Sequence, residues 1–302
     1  MYARKLIAHG PSSLTIALPF KWVQKYGLEK GDVVAVEETD QGLCVNPKAS
    51  ERKKDIQISL VGHDWPAIVT VLTTVYRRGY DQVRVRYETP QEYQDISTSV
   101  RLLLGYAITE NRKGSCHIKS LPSELEQDFP TLFRRVFFIL LQELDDLSEN
   151  LDAETFKSFY HRDADLNAIV NLALRMINKG YIHDRFQELH LFHALLILEE
   201  MGDDITRFTI EAAKDGKGLK TGLQHCAKLL RLLHDGYFQK TIGIMEFYKQ
   251  YYLYWPDVKK SAAPVYDYFT KEKGKHVFYL RSIVEKTIQL AEILLLPQIE
   301  EK

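Results

Sequence analysis

Hydrophobic positions along the chain change their period twice. Up to about residue 48 the pattern is one of short strands. SLTIALP sets Leu14, Ile16 and Leu18 on one side and Thr15 and Ala17 on the other, the period-two alternation of a half-buried strand. Pro19 then opens FKWVQKYG, a short helix with proline at its first position and Gly27 at its end. GLEKGD predicts a turn, and DVVAVEE and GLCVNP predict two further strands, with Gly10, Gly31 and Gly42 where the chain must reverse. From about 52 to 122, strands and helices alternate. IQISLVG, DQVRVRYE and SCHIKSL read as strands, and WPAIVTVLTTVYRRG and YQDISTSVRLLLG as helices ending at Gly79 and Gly105. That βαβαβ order predicts a small α/β layer with helices packed on a sheet.

Beyond about residue 123 the period becomes that of helices. FRRVFFILLQELDDLSENL places Phe133, Val136, Leu140, Leu144, Leu147 and Leu151 at spacings of three and four, one face of a long helix. ADLNAIVNLALRMINKG predicts a second helix and ELHLFHALLILEEMGDDITRFTIEAA a third. A fourth runs from Leu219 to about Phe238, bent or interrupted near Gly236, and Ile242–Trp255 continues helical up to Pro256. KHVFYLRSIVEKTIQLAEILLL, closed by Pro297, is the last. Lengths near 20 residues with short connections point to an antiparallel bundle. The expectation is a multidomain α+β chain: a β module over 1–48, an α/β segment over 52–122 and an all-α region over 123–302.

At 302 residues the chain has room for two or three domains, and 45% hydrophobic with 27% charged residues is enough to fill real cores. No apolar run approaches the roughly 18 residues of a membrane span. MYARKLIAHG lacks the features of a signal peptide. Cys44, Cys116 and Cys226 are too far apart for a disulfide framework or a zinc knuckle. A cytoplasmic protein is the expectation. The first module, under 50 residues with no staple, cannot bury much core alone, which predicts a homodimer.

The formal charge of −1 hides an asymmetry. Residues 1–54 carry 9 Lys/Arg against 6 Asp/Glu, whereas residues 131–215 carry 9 against 16. Mild positive charge on a small module permits nucleic-acid binding. Arg4, Lys5, Lys21 and Lys25 could neutralise phosphates, and Ser12 and Ser13 would let a loop approach the backbone closely. The bland alternative is a dimerisation unit with solvated lysines. In LEEMGDD, Glu199 and Asp203 are four apart in a stripe that holds Phe192 and Leu196 one way and Ile210 the other. Two carboxylates held close stay ionised only beside a cation or a basic partner. Oxygen ligands suit a divalent or iron-type metal ion; the other reading is an ion pair, with Arg207 against Asp203. His161, His190 and His193 receive no role. Tyr251, Tyr252, Tyr254 and Trp255 are read as core or interface rather than a base-stacking platform. The middle segment carries no Gly-rich phosphate loop and no nucleophilic set, and reads as a structural or relay module.

Residues 3–47, RKLIAHGPSSLTIALPFKWVQKYGLEKGDVVAVEETDQGLCVNP, resemble the AbrB/SpoVT-type swapped-hairpin DNA-binding domain. That family's order is strand, small-residue loop, strand, Pro-started helix and GLxxGD turn. The resemblance implies an intertwined dimer that binds double-stranded DNA, with Arg4, Lys5 and Lys21 on the matching basic positions. LEEMGDDITRFTIE is similar to the LERIGDxAxxIAE pattern of the PhoU phosphate-uptake regulators, which are built from two three-helix repeats. The resemblance puts Glu199 and Asp203 on that family's ExxxD metal positions, and RDADLNAIVNLALRMI adds Asp163 and Asp165. Repeat one would span about 130–215 and repeat two about 217–298. In LRSIVEKTIQLAE, Arg281 and Glu285 replace the family's Glu and Asp, and an arginine there repels a cation. Taken together, the head, the middle segment (VYRRGYDQVRV and VRLLLGYAITE) and the bundle resemble archaeal PhoU-like regulators.

What the resemblance implies is a non-enzymatic, phosphate-responsive regulator that binds DNA and contacts a phosphate transporter or sensor protein. The alternative is an adapter that docks on such a transporter or sensor, with the N-terminal module only dimerising. A metal-dependent enzyme is the weakest reading, because no set of nucleophile, base and oxyanion donor can be assembled.

Overall fold

A computed structural model describes residues 3–11, 13–39, 42–47, 54–121, 128–149, 153–182, 184–215, 220–254 and 275–296. The chain is a mixed α+β protein that divides into two units, Met1–Lys53 and Lys54–Lys302.

In the first unit, β1 (Ile7–Ala8) and β2 (Leu14–Thr15) are followed by α1 (Phe20–Tyr26), β3 (Val34–Thr39) and β4 (Gly42–Pro47). Helix α1 starts after Pro19 and stops at Gly27, whose φ of 58° lets its N–H turn back to the carbonyls of Gln24 and Val23. Strands β3 and β4 form an antiparallel hairpin from Val34↔Pro47 to Thr39↔Gly42. The strand predicted over SLTIALP is shorter than its alternation suggests. Only Leu14 and Thr15 are paired, opposite Ala8 and Ile7. Leu14 and Ile16 are exposed, as are Thr15 and Ala17. Alternation marks a face to be covered, and this unit offers no second layer to cover it.

The second unit begins with a four-stranded sheet. Its elements are β5 (Asp55–Ser59), α2 (Trp65–Arg77), β6 (Gln82–Arg86), α3 (Pro90–Arg101), β7 (Tyr106–Arg112) and β8 (Ser115–Ser120). Asp64 caps α2 by accepting from the Ala67 N–H, and Thr89 with Glu92 forms a capping box on α3. Sheet order is β5-β6-β8-β7, with β5 parallel to β6 and both pairings of β8 antiparallel. The predicted βαβαβ order is corrected by one strand: YAITENR is β7, joined to β8 by a tight turn at Gly114 (φ 81°). Glu110, Asn111 and Arg112 lack the apolar alternation that marks a strand, and pairing with β8 supplies the order instead. Val83, Val85, Cys116 and Ile118 point to one side and are buried with Ile68, Leu72, Val75, Ile96 and Val100 of α2 and α3.

Among the described residues six helices follow: α4 (Phe129–Glu149), α5 (Ala153–Asn178), α6 (Arg185–Asp215), α7 (Lys220–Gln239), α8 (Ile244–Tyr254) and α9 (Lys275–Leu295). Helices α4, α5 and α6 pack on one another, and α7 packs on α8 and α9. Helix α4 also packs along α7, and α6 along α9. The break expected near Gly236 falls after Gln239, where Lys240 takes a φ of 55° and ends α7. Gly236 serves another purpose: a Cβ there would lie 2.9 Å from Ile242 Cγ1, so its bareness lets the returning chain lie against the helix. Gly202 does the same between α6 and α5, where a Cβ would lie 2.2 Å from Leu166 Cδ2. No helix among the described residues is long and apolar enough to cross a membrane.

Sheet layer and bundle belong to one unit because α2 packs on α5. Arg175 of α5 is fully buried between the rings of Tyr76 and Tyr106, at 5.0 and 5.3 Å from their centroids. Its Nη1 donates to the carbonyls of Tyr76 (3.1 Å) and Tyr80 (2.7 Å), and its Nη2 to Asp81 (2.7 Å). Burial pushes the Asp81 carboxyl up. Hydrogen bonds from Lys179 and the Lys54 N–H, with the charges of Lys179 and Arg175, outweigh that and hold it below its ordinary value.

Candidate functional site

The head presents its basic residues in two places. Arg4 and Lys5 precede β1 and are exposed. Lys21 and Lys25 are exposed on α1, four residues apart and so on one side of the helix; Lys25 lies over the Tyr26 ring at 5.3 Å. Ser13 closes the β1–β2 loop: its backbone carbonyl accepts from the His9 N–H at 2.9 Å and its hydroxyl donates back to the His9 carbonyl. Ser12 lies outside the described residues. The loop is therefore a tight reversal around Gly10 (φ 81°), flanked by cations on the β1 side.

None of the head residues whose burial is described is buried. Leu6, Ile7, Leu14, Ile16, Phe20, Val33, Val36 and Leu43 are each between 54% and 71% exposed. Fully burying one such side chain is worth about 1.5–3 kcal/mol. Eight of them represent a driving force comparable with the whole stability of an ordinary domain, about 5–15 kcal/mol.

In the bundle, Glu199 and Asp203 occupy the same side of α6, as their spacing predicts, but each is matched with an arginine. Arg77, from the C-terminal end of α2, donates to Glu199 at 2.5 Å and to Asn171 at 2.5 Å. Arg207 donates to Asp203 at 2.9 Å, the ion pair expected as the alternative to a metal. Among the described residues, no group of three or more His, Cys, Asp or Glu converges as a metal ion would require. As arranged, the pair does not fit a cation, because guanidinium groups neutralise both carboxylates; a metal would have to displace Arg77 and Arg207. The stripe is partly buried: Phe192, Leu196, Glu199 and Asp203 are all half-buried. Ile210 is 52% exposed, and the core side of α6 runs instead through Leu191, Leu195, Leu198, Met201, Ile205 and Phe208. A 31-residue helix that packs on both α5 and α9 has two contact faces, and the apolar count alone does not rank them.

Sequence reasoning missed the most perturbed carboxyl. Glu143 of α4 is 1% exposed, and neither of its oxygens has a hydrogen-bond partner among the described residues. Burial, reinforced by the negative charge of Asp163, pushes it up to about 8. Asp163 of α5 is itself raised by burial and by Asp203, while accepting from Asn167 at 3.3 Å. The only trace in the sequence is that Glu143 falls between Leu140 and Leu144 on the apolar face of α4. Asp204 was also passed over: it is nearly buried and receives Lys286 of α9. On α9, Arg281 Nε donates to Glu285 at 2.8 Å, so the two charges standing where the resemblance expects an acidic pair satisfy each other. Tyr251 is buried, in keeping with a core role for that aromatic run, and Trp255 lies outside the described residues.

No protein family, curated protein or solved structure matches this chain.

Proposed function

We propose that the protein is a non-enzymatic, homodimeric regulator of phosphate uptake that binds double-stranded DNA through paired heads and senses through its helical bundle. The observation that carries the reading is the coreless head. A unit of two small hairpins and one short helix that buries none of its described apolar side chains is completed by a second copy of itself. Interlocking two hairpins would bury Leu14 and Ile16 and extend the two-residue β1–β2 ladder. It would also bring two sets of Arg4, Lys5, Lys21 and Lys25 into one assembly, a cationic surface that duplex phosphates match.

The bundle supports the phosphate side of the reading through its packing. The helices that correspond in a two-repeat chain, α4 with α7 and α6 with α9, pack on each other. That is the arrangement expected when two three-helix repeats face across a pseudo-two-fold axis. The LEEMGDDITRFTIE motif lies on α6 at this contact.

The test is salt-dependent binding of the full chain to duplex DNA. The slope of log K against log salt is expected to flatten by about one unit for each phosphate contact removed. Arg4→Gln/Lys5→Gln is the variant that should show it. If the wild-type chain fails to bind duplex at low salt, the DNA reading is refuted and the adapter reading takes its place.

A further inference from the structure

We propose that the open face of the middle sheet is a second contact for the phosphate backbone of duplex DNA, separate from the head. This deepens the DNA-binding reading and rests on it. Helices α2 and α3 pack on each other, and the buried sides of β6 and β8 join their core. Along β6 the alternation is strict: Val83 and Val85 are buried, and Arg84 and Arg86 are exposed. Neither guanidinium group makes an ion pair or hydrogen bond with another described residue, although both backbones join the sheet.

Strand register gathers further cations beside them. Arg84 stands opposite His117, which stands opposite Glu110 across the next ladder. Arg86 stands opposite Ser115, which stands opposite Arg112. Lys119 pairs with Gln82, two residues before Arg84 and on the same side of the sheet. Neighbouring strands lie roughly 4.8 Å apart, and residues two apart on a strand roughly 6.6 Å. Arg84, Arg86, Arg112 and Lys119 therefore form one patch. The acidic group inside it, Glu110, is already engaged by Arg112 at 3.5 Å and His117 at 3.9 Å. Asp55 lies at the far corner, on the edge strand.

Composition conceals this patch. Residues 55–130 carry 8 Lys/Arg and 10 Asp/Glu, yet four of those eight cations fall on one sheet face. Its chemistry also identifies the occupant. The face presents no aromatic side chain other than the His117 imidazole, so it has no platform for stacking single-stranded bases. Its strands present no large apolar side chain, and the exposed Leu121 just past β8 stands alone, too little to insert into a lipid surface. What remains is a flat array of flexible cations with small polar neighbours such as Gln57 and Ser115. Such an array suits sequence-independent contact with duplex phosphates.

The experiment titrates the full chain against a mixed-sequence DNA duplex over a range of salt. It compares wild type, the head variant Arg4→Gln/Lys5→Gln, and the face variant Arg84→Gln/Arg86→Gln. Glutamine keeps the stem length on an exposed strand, and a thermal melt checks that the sheet persists. The face variant is expected to flatten the salt slope by about two units, one per arginine, and Arg84→Lys/Arg86→Lys to restore it. A face variant with wild-type affinity and slope overturns the proposal, and if the head variant is impaired in the same experiment the DNA reading stands without it. An impaired face variant beside an unaffected head variant supports the sheet contact and refutes the head. Tighter binding to a single strand than to the duplex overturns the assignment of the occupant.

Discussion

Replacing Glu143 with glutamine tests the electrostatics of the bundle most directly. Burial pushes its carboxyl in the folded chain from the ordinary 4.5 up to about 8. A carboxyl whose folded value is raised binds its proton more tightly when folded. Its contribution to stability is therefore fully present below about pH 4.5 and is lost as the pH rises toward 8. Each pH unit in that window removes about 1.4 kcal/mol, so the loss is about 3 kcal/mol at pH 7 and at most about 5 kcal/mol above pH 8. Glutamine has the size of the protonated acid and never ionises. Glu143→Gln is thus expected to match wild type within about 1 kcal/mol at pH 5 and to exceed it progressively toward pH 8.5. Asp163, raised by burial and by Asp203, titrates in the same direction and adds to the slope of both proteins. The difference between them, from urea unfolding followed by circular dichroism at several pH values, isolates Glu143. A difference that stays flat from pH 5 to 8 would refute the assignment of a buried, unpartnered carboxyl.

Other substitutions probe the remaining joints. Arg175→Met removes a fully buried guanidinium and its bonds to Asp81 and to the carbonyls of Tyr76 and Tyr80. Lys179 still holds Asp81, and Gly79 and Tyr106 still donate to the two carbonyls, so the expected loss is about 1–3 kcal/mol; an unchanged unfolding midpoint would mean that the sheet layer does not depend on this dock. Gly202→Ala drives a methyl into Leu166, which is itself fully buried, and should cost roughly 1–3 kcal/mol in the same assay; wild-type stability would show that α5 and α6 separate freely. Leu43→Glu places a charge on the exposed apolar surface of the head and is expected to shift sedimentation equilibrium toward monomer; an unaltered oligomeric state would move the interface elsewhere. A cation at Glu199 and Asp203 would have to displace arginine, so Arg77→Met should raise manganese uptake measured by elemental analysis. Equal content in wild type, Arg77→Met and Glu199→Ala/Asp203→Ala would remove the pair as ligands.

Local signals were sufficient for much of this chain. The 3.6-residue period, glycines at helix ends and Pro19 located the long helices of the described residues and the α1 turn, because these features act within a few residues of themselves. The hairpin of β3 and β4 was legible for the same reason. Strand β7 was not, since YAITENR gains its order from pairing with β8 and not from its own pattern. The carboxylates show the same division. The four-residue spacing put Glu199 and Asp203 on one side of α6, but their partners Arg77 and Arg207 were decided by packing, and Arg77 arrives from 122 residues away in sequence. Glu143 looks like an ordinary helix residue until packing buries it near Asp163 of α5. The basic sheet face likewise exists only because three strands align in register. Sequence by itself determined the helices, most of the strands and the coreless character of the head. Tertiary structure decided which charges meet, because burial and Coulomb interactions depend on distance in space and not on distance along the chain.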